Sequence, residues 1–263
     1  MNKKQERDYF DKEWNDMKTS LKSYLKKEQQ EDLHRFRVQV KKLRAFIILA
    51  DSADQHPKLA GHFKPVRKIF KEAGEIRNAY MNQKLGESHH INNEEFMISQ
   101  YQLQVTASGK FKLKKVRFLK RLKDVHHELK RKIQPISNLH VNLFYQTQLE
   151  QIANFLEKIE FNDQLHDCRK QVKILLYNYK LTQPVLDTKL NEEYLKEIQT
   201  EIGDWHDHVL AIELFSSDEV KDNEAVINLK KQDDKLKSDI TDSTKDFYNK
   251  ATTVVDLPVE QVS

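Results

Sequence analysis

Cysteine is nearly absent from this sequence. The 263 residues contain one, Cys168, which excludes an internal disulfide framework and any cysteine-rich zinc site. A reducing, cytoplasmic setting is expected. Glycine and proline number five each, too few for a chain of many tight turns, so the expected fold class is all-α rather than a sandwich or an α/β sheet. No apolar run approaches the roughly 20 residues that cross a bilayer. The opening MNKKQERDYF has charges but no apolar core of a signal peptide, and no membrane partner is expected.

What the chain has instead is charge, at 33% of residues, with a net charge of only +4. Its distribution says more than its sum. Residues 110–132 hold eleven Lys/Arg against Asp124 and Glu128, whereas residues 216–263 hold seven Lys/Arg against eleven Asp/Glu. A basic middle beside an acidic tail points to a localised anion-attracting surface. Apolar periodicity predicts helices near 5–28, 31–53, 62–87, 92–105, 110–133, 138–159, 164–183, 189–215 and 219–250. Pro57, Gly109, Pro135 and Pro184 are the expected breaks, NNEE at 92–95 reads as a helix start, and TTVVDLPVEQVS reads as a frayed end.

An internal repeat organises the chain. LHRFRVQVKKL at 33–43 aligns with LHDCRKQVKIL at 165–175, sharing L-H-x-x-R-x-x-V-K-x-L. GEIRN at 74–78 aligns with GDWHD at 203–207. The offsets, 132 residues (165 − 33) and 129 residues (203 − 74), are nearly equal. Two motifs recurring in one order imply two related helical halves within a single domain. The halves are 1–130 and 131–263, meeting near 125–137.

On a helix, Leu33, Phe36, Val40, Leu43 and Ile47 fall in one arc of roughly 80°. His34, Arg37, Lys41 and Arg44 fall in a second arc beside it. In the other copy, Leu165, Cys168, Val172, Leu175 and Tyr179 form the apolar stripe, flanked by His166, Arg169 and Lys173. Like charges four residues apart cost a few tenths of a kcal/mol in an isolated helix, and Arg37–Lys41 and Arg169–Lys173 both accept that cost. A charged flank is ordinarily a solvated face, and a histidine there is ordinarily structural. The same face appearing twice, without interleaved acids, favours a binding role. Arg offers a planar fork of donors to phosphate oxygens, Lys a point charge, and His a proton that nearby anions would hold. The chemistry expected is binding of a multivalent, repeating phosphate anion. No nucleophile, paired carboxylate or glycine-rich phosphate loop accompanies these cations.

With these motifs the sequence resembles the CHAD domain, the conserved-histidine α-helical domain, over most of its length. The resemblance rests on HRFRVQVKKLR at 34–44 and HDCRKQVK at 166–173, supported by GEIRN and GDWHD, which are similar to the family's Gly-x-x-Arg-Asp element. It implies two pseudo-symmetric four-helix bundles around a central basic groove. It also implies non-catalytic binding of inorganic polyphosphate, association with polyphosphate granules or with a polyphosphate-metabolising enzyme, and no cofactor. The expected contacts are His34, Arg37, Lys41, Arg44, Arg67 and Arg77 in the first half, and His166, Arg169, Lys173, Lys196 and His206 in the second.

The sequence departs from the family pattern in places. Leu176 stands opposite Arg44, Asn78 opposite Asp207, and His206 opposite Arg77. Lys64, Arg67, Lys68 and Lys71 map at the 129-residue offset onto Glu193, Lys196, Glu197 and Thr200. The surface is therefore expected to be stronger in the first half. No Glu-x-Glu-x-Lys signature of a fused CYTH domain is seen, so a stand-alone module is expected. His-Asp dipeptides at 166–167 and 206–207 raise the alternative of a metal-dependent helical phosphohydrolase. The same cations raise that of a nucleic-acid-binding protein, although clustered stacking aromatics are missing. The adjacent pairs His89–His90 and His126–His127 diverge on a helix, and no metal site is expected there. Trp14 and Trp205 read as core. The acidic stretch 219–250, with Val220, Ile227, Leu236, Ile240 and Phe247 as a sparse stripe, is expected to pack on the second half.

Overall fold

The computed structural model describes residues 1–53, 58–89 and 93–254. Pro57, His90 and the first residue of NNEE lie outside the described residues. The described chain is helical apart from one two-stranded ribbon. The helices α1 (Lys3–Lys27), α2 (Gln30–Asp51), α3 (Leu59–His62), α4 (Lys64–Ser88), α5 (Glu94–Leu113) and α6 (Lys115–Lys132) come first. They are followed by α7 (Asn138–Leu156), α8 (Asp163–Thr182), α9 (Glu192–Ser216), α10 (Asn223–Ser243) and α11 (Phe247–Ala251). A single 3₁₀ turn, Gln183–Val185, carries Pro184.

Local chemistry sets the ends of these helices. Asn2 opens α1 with a reciprocal cap: its side chain accepts from Gln5 N at 2.9 Å, and its own N–H donates to Gln5 Oε1. Glu28 closes α1 in the left-handed region, φ 56°, donating its N–H to Tyr24 O. The single residue Gln29 then leads into α2. Ser137 caps α7, Asn162 caps α8 and Asn93 caps α5, each accepting from a backbone N–H of the first turn.

The chain divides into two compact units. One comprises Asn2–Pro135 with Ala211–Leu229, the other Ile136–Leu210 with Lys230–Ser263 and Met1. In the first unit, the α2 stripe of Leu33, Phe36, Val40, Leu43 and Ile47 is buried, together with Phe10, Trp14, Met17, Phe63, Phe118 and Leu122. In the second, Leu165, Cys168, Val172, Leu175 and Tyr179 are buried with Val141, Ile152, Leu195, Ile198 and Trp205. Both apolar stripes thus face cores, which sets the neighbouring cationic rows at the edges of those cores.

Three expectations are corrected. Gly109 does not break the chain: α5 continues to Leu113, and the bend falls at Lys114. Anchors on either side of Gly109 hold the helix through it, Ser108 bonded to the Tyr24 hydroxyl at 2.8 Å and Phe111 packed on Phe118. The acidic stretch is not one helix on one half. Asp246, at φ 55°, separates α10 from α11, and Val220, Val226 and Leu229 join Phe96, Ala211 and Phe215 in the first unit's core while Ile227 is exposed. The C-terminal stretch is not frayed at its start. Thr252–Val254 (β2) pairs antiparallel with Thr188–Leu190 (β1), Leu190 opposite Thr252, because Leu190 and Ala251 are buried and bring the two backbones together. Residues 255–263 lie outside the described residues.

Apart from its chain neighbours and its own helix backbone, no heavy atom among the described residues lies within 4 Å of where a Cβ on Gly109 would stand, and it lies inside α5. Gly109→Ala is expected to raise stability by about 0.5–1 kcal/mol, read as a higher urea midpoint with unchanged slope.

Candidate functional site

The two copies of the histidine motif are built on the same contact. Arg37 of α2 donates from Nη1 to the carbonyl oxygen of Phe70 on α4 at 2.9 Å, with its guanidinium 4.2 Å from the centre of the Phe70 ring. A Cβ on Gly74 would stand 2.7 Å from Arg37 Nη1. Arg169 of α8 donates from Nε to the carbonyl oxygen of Gln199 on α9 at 2.8 Å, and a Cβ on Gly203 would stand 2.7 Å from Arg169 Cζ. Phe70 and Gln199 are again 129 residues apart (199 − 70) and each precedes its glycine by four. The glycine of GEIRN and of GDWHD is therefore required for space: each leaves a bare helix surface on which an arginine lies flat.

That contact decides what stands around each histidine. In the first unit, His34 sits beside Arg77, three residues after Gly74, and within reach of Lys41, Arg37 and Glu31. Burial and then the Arg77 charge lower its pKa. Arg37 is lowered as well, by burial and by Arg77. In the second unit, His166 stacks on His206, three residues after Gly203, with ring centres 3.8 Å apart and planes at 28°. Burial first, then His206, Lys170 and Arg169, push His166 down to about 4, with only Asp167 opposing. His166 Nδ1 is buried and makes no hydrogen bond among the described residues. His206 is lowered by burial, by Arg169 and by Lys170, against Asp207 and Asp163. Burial and cationic neighbours thus favour the neutral form of His34, His166 and His206.

The remaining expected residues divide into those brought into these clusters and those outside them. Lys41 belongs to the His34 cluster. Arg44 and Arg67 are exposed on α2 and α4, as are Lys68 and Lys71, and none of the four has a carboxylate partner among the described residues. Lys173 is half-buried on α8. Lys196 is exposed and ion-paired with Glu192 at 3.0 Å. Acids stand beside both motif histidines, Glu31 near His34 and Asp167 near His166, and they pair with Arg35 at 3.2 Å and Lys170 at 2.7 Å, which lie outside the two rows. Lys114 of the basic stretch pairs with Glu72 at 2.8 Å.

Sequence reasoning missed Lys170 and the carbonyl oxygens of Phe70 and Gln199. Lys170 has Val38 as its repeat equivalent (170 − 132 = 38), so the repeat could not reveal it. The carbonyls were legible in principle, since a glycine recurring at one offset from an arginine signals a close helix approach. The stacked His166 and His206 rings bear on metal chemistry. Ring nitrogens donate in the ring plane, and nearly parallel rings 3.8 Å apart do not aim two lone pairs at one ion. The adjacent Arg169 and Lys170 would oppose a metal cation further.

Two outcomes are expected. Gly203→Ala should lose about 1–3 kcal/mol through overpacking, and in an Arg169→Ala background that loss should vanish, as read in a double-mutant cycle by urea denaturation. The depressed His166 has a pH signature. The unfolded chain takes up its proton near the ordinary pKa of about 6.5, before the folded chain does near about 4. Stability from this group is full above that window and falls as pH drops through it. His166→Gln should therefore flatten the fall of Tm between those two pH values, measured by circular dichroism.

The comparisons with known proteins agree with this architecture. A family model described as CHAD domain matches residues 97–216, a span that holds the second copy of both motifs and neither motif of the first. The crystal structure of the CHAD domain from the plant Ricinus communis superposes with a TM-score of 0.68 at 15% identity, covering 96% of this chain and 94% of that one. That likeness shows the fold. No curated protein matches the chain.

Proposed function

We propose that this chain, a CHAD-domain protein, is a non-catalytic module that binds inorganic polyphosphate, most strongly through the α2–α4 face of its first unit. The observation that carries the reading is a set of unbalanced cations. Arg44 on α2 and Arg67, Lys68, Lys71 and Arg77 on α4 gather on two packed helices, and none of the five has a carboxylate partner among the described residues. From Arg67 to Arg77 these α4 cations extend over about 15 Å at the helical rise, Arg67, Lys71 and Arg77 within an arc of about 120° and Lys68 turned further away. That length suits a chain of phosphates better than one small anion. The salt dependence of polyanion binding follows from releasing counterions along such a row.

In this reading Arg77, His34 and Lys41 form one cluster of contacts, and Arg44 and Arg67 extend it along α2 and α4. Arg37 serves chiefly as scaffold, its guanidinium already committed to Phe70 O and Gly74. The second unit would add His166, His206, Lys173 and Lys196 as a weaker surface, with Arg169 serving chiefly as scaffold like Arg37, because Asp163, Asp167, Asp207 and Glu192 balance much of its charge. The duplicated arginine–glycine contact supports a pseudo-symmetric pair of helical bundles. Binding of this kind fits cytoplasmic recruitment to polyphosphate granules or to an enzyme that makes or degrades the polymer. The metal-dependent phosphohydrolase reading loses its support with the stacked histidines.

The test is affinity against polyphosphate chain length, with RNA and DNA as competitors. Affinity should rise with length and fall steeply with salt. Arg67→Glu combined with Lys71→Glu should weaken binding at least about tenfold, several counterion-releasing contacts being lost, with helicity intact. Tighter binding to RNA than to long polyphosphate would sink the assignment, and an unchanged affinity in the double variant would remove the α2–α4 face from the site.

A further inference from the structure

Helix α5 has two faces that ask for burial and only one that receives it. Its inner face, Phe96, Gln100, Ser108 and Phe111, is buried in the first unit. Its outer face carries Ile98, Tyr101 and Val105 at 49%, 60% and 51% exposure. These are spaced three and four residues apart, with Gln102 and Gly109 between and beyond them. From Phe96 to Gly109 there is no charged residue, in a protein where a third of residues are charged. A helix apolar on both faces is ordinarily covered on both.

The charge that α5 does carry sits at its ends and says what covers it. Glu94 and Glu95 open the helix, and Lys110 and Lys112 lie in its last turn. At 100° per residue, Glu94, Ile98, Tyr101, Val105, Gly109 and Lys112 share one outward stripe. A stripe that is acidic at one end, apolar in the middle and basic at the other is complementary to itself when reversed. We infer that α5 is the interface of an antiparallel homodimer, related by a twofold axis near residue 103.

About that axis Glu94 faces the partner's Lys112, Ile98 faces the partner's Gly109, and Tyr101 and Gln102 face the partner's Val105. Gly109 supplies the hollow for Ile98, its Cβ position having no heavy atom within 4 Å among the described residues apart from its own helix backbone and chain neighbours. Lys112 also holds Glu28 of its own chain at 2.5 Å, leaving ammonium protons for a second carboxylate. A parallel arrangement would set Glu94 against Glu94 and Lys112 against Lys112. One helix pair buries less than the roughly 1,200 Å² of a standard interface, so the association is concentration-dependent. It uses none of the cations of the proposed polyphosphate site and stands independently of that function.

Sedimentation velocity of the full chain, over a range from about 5 to about 500 µM suited to small interfaces, reads the outcome. The expected result is a monomer passing to a dimer as concentration rises. Val105→Lys and Glu94→Lys, both at exposed positions, should each shift the midpoint at least about tenfold upward, as befits substitutions at the centre and edge of an interface, without loss of helicity. Mixing Glu94→Lys with Lys112→Glu should restore association, because each chain then offers the charges that the other lacks. A monomer at every concentration overturns the inference, as does a dimer indifferent to Val105→Lys. Preferential pairing of wild type with Glu94→Lys would reveal a parallel arrangement and overturn it too.

Discussion

The interaction on which the rest depends is an arginine laid flat against a helix that has no side chain beneath it. Arg37 on Gly74 and Arg169 on Gly203 each end in a hydrogen bond to the carbonyl four residues before the glycine. A planar cation needs a bare surface to lie this close, and only glycine supplies one without distorting the helix. The contact then fixes rotation as well as distance. The histidine three residues before each arginine meets the residue three after each glycine, Arg77 in one unit and His206 in the other.

This contact separates scaffold from surface within a motif that looks uniformly cationic. Two of the arginines that most resemble ligands are the least available, because their guanidinium groups already serve the helix crossing. The binding capacity proposed above passes to their neighbours. In the first unit these are exposed and unbalanced cations on α2 and α4. In the second, acids at Asp163, Asp167 and Asp207 temper the field, and the histidines stack on each other. The two copies share a framework while differing in charge.

Much of the fold was legible because amphipathic periodicity is a local property. The stripes beginning at Leu33 and Leu165 are buried as their spacing requires, and Trp14 and Trp205 are core. Gly109 was misread because a glycine only weakens a helix by about 1 kcal/mol, which Ser108 and Phe111 readily outweigh through tertiary anchors. The acidic stretch was misread for a similar reason. Val220, Val226 and Leu229 follow the core that Phe96 and Phe215 offer them, and Asp246 adopts a left-handed turn that its residue type tolerates but does not announce.

The helical class, the two apolar stripes and the duplicated motif are readable along the chain, since each follows from residue type at short spacing. So is the imbalance between the copies, which is a matter of which residues are present. Helix packing, by contrast, makes Arg37 and Arg169 supports of the crossing, sets His34 near a guanidinium and His166 against an imidazole, and brings Lys170 to the second cluster. Those outcomes depend on how two helices approach across a glycine. That approach is set by space between residues some thirty positions apart in the chain, which no local pattern records.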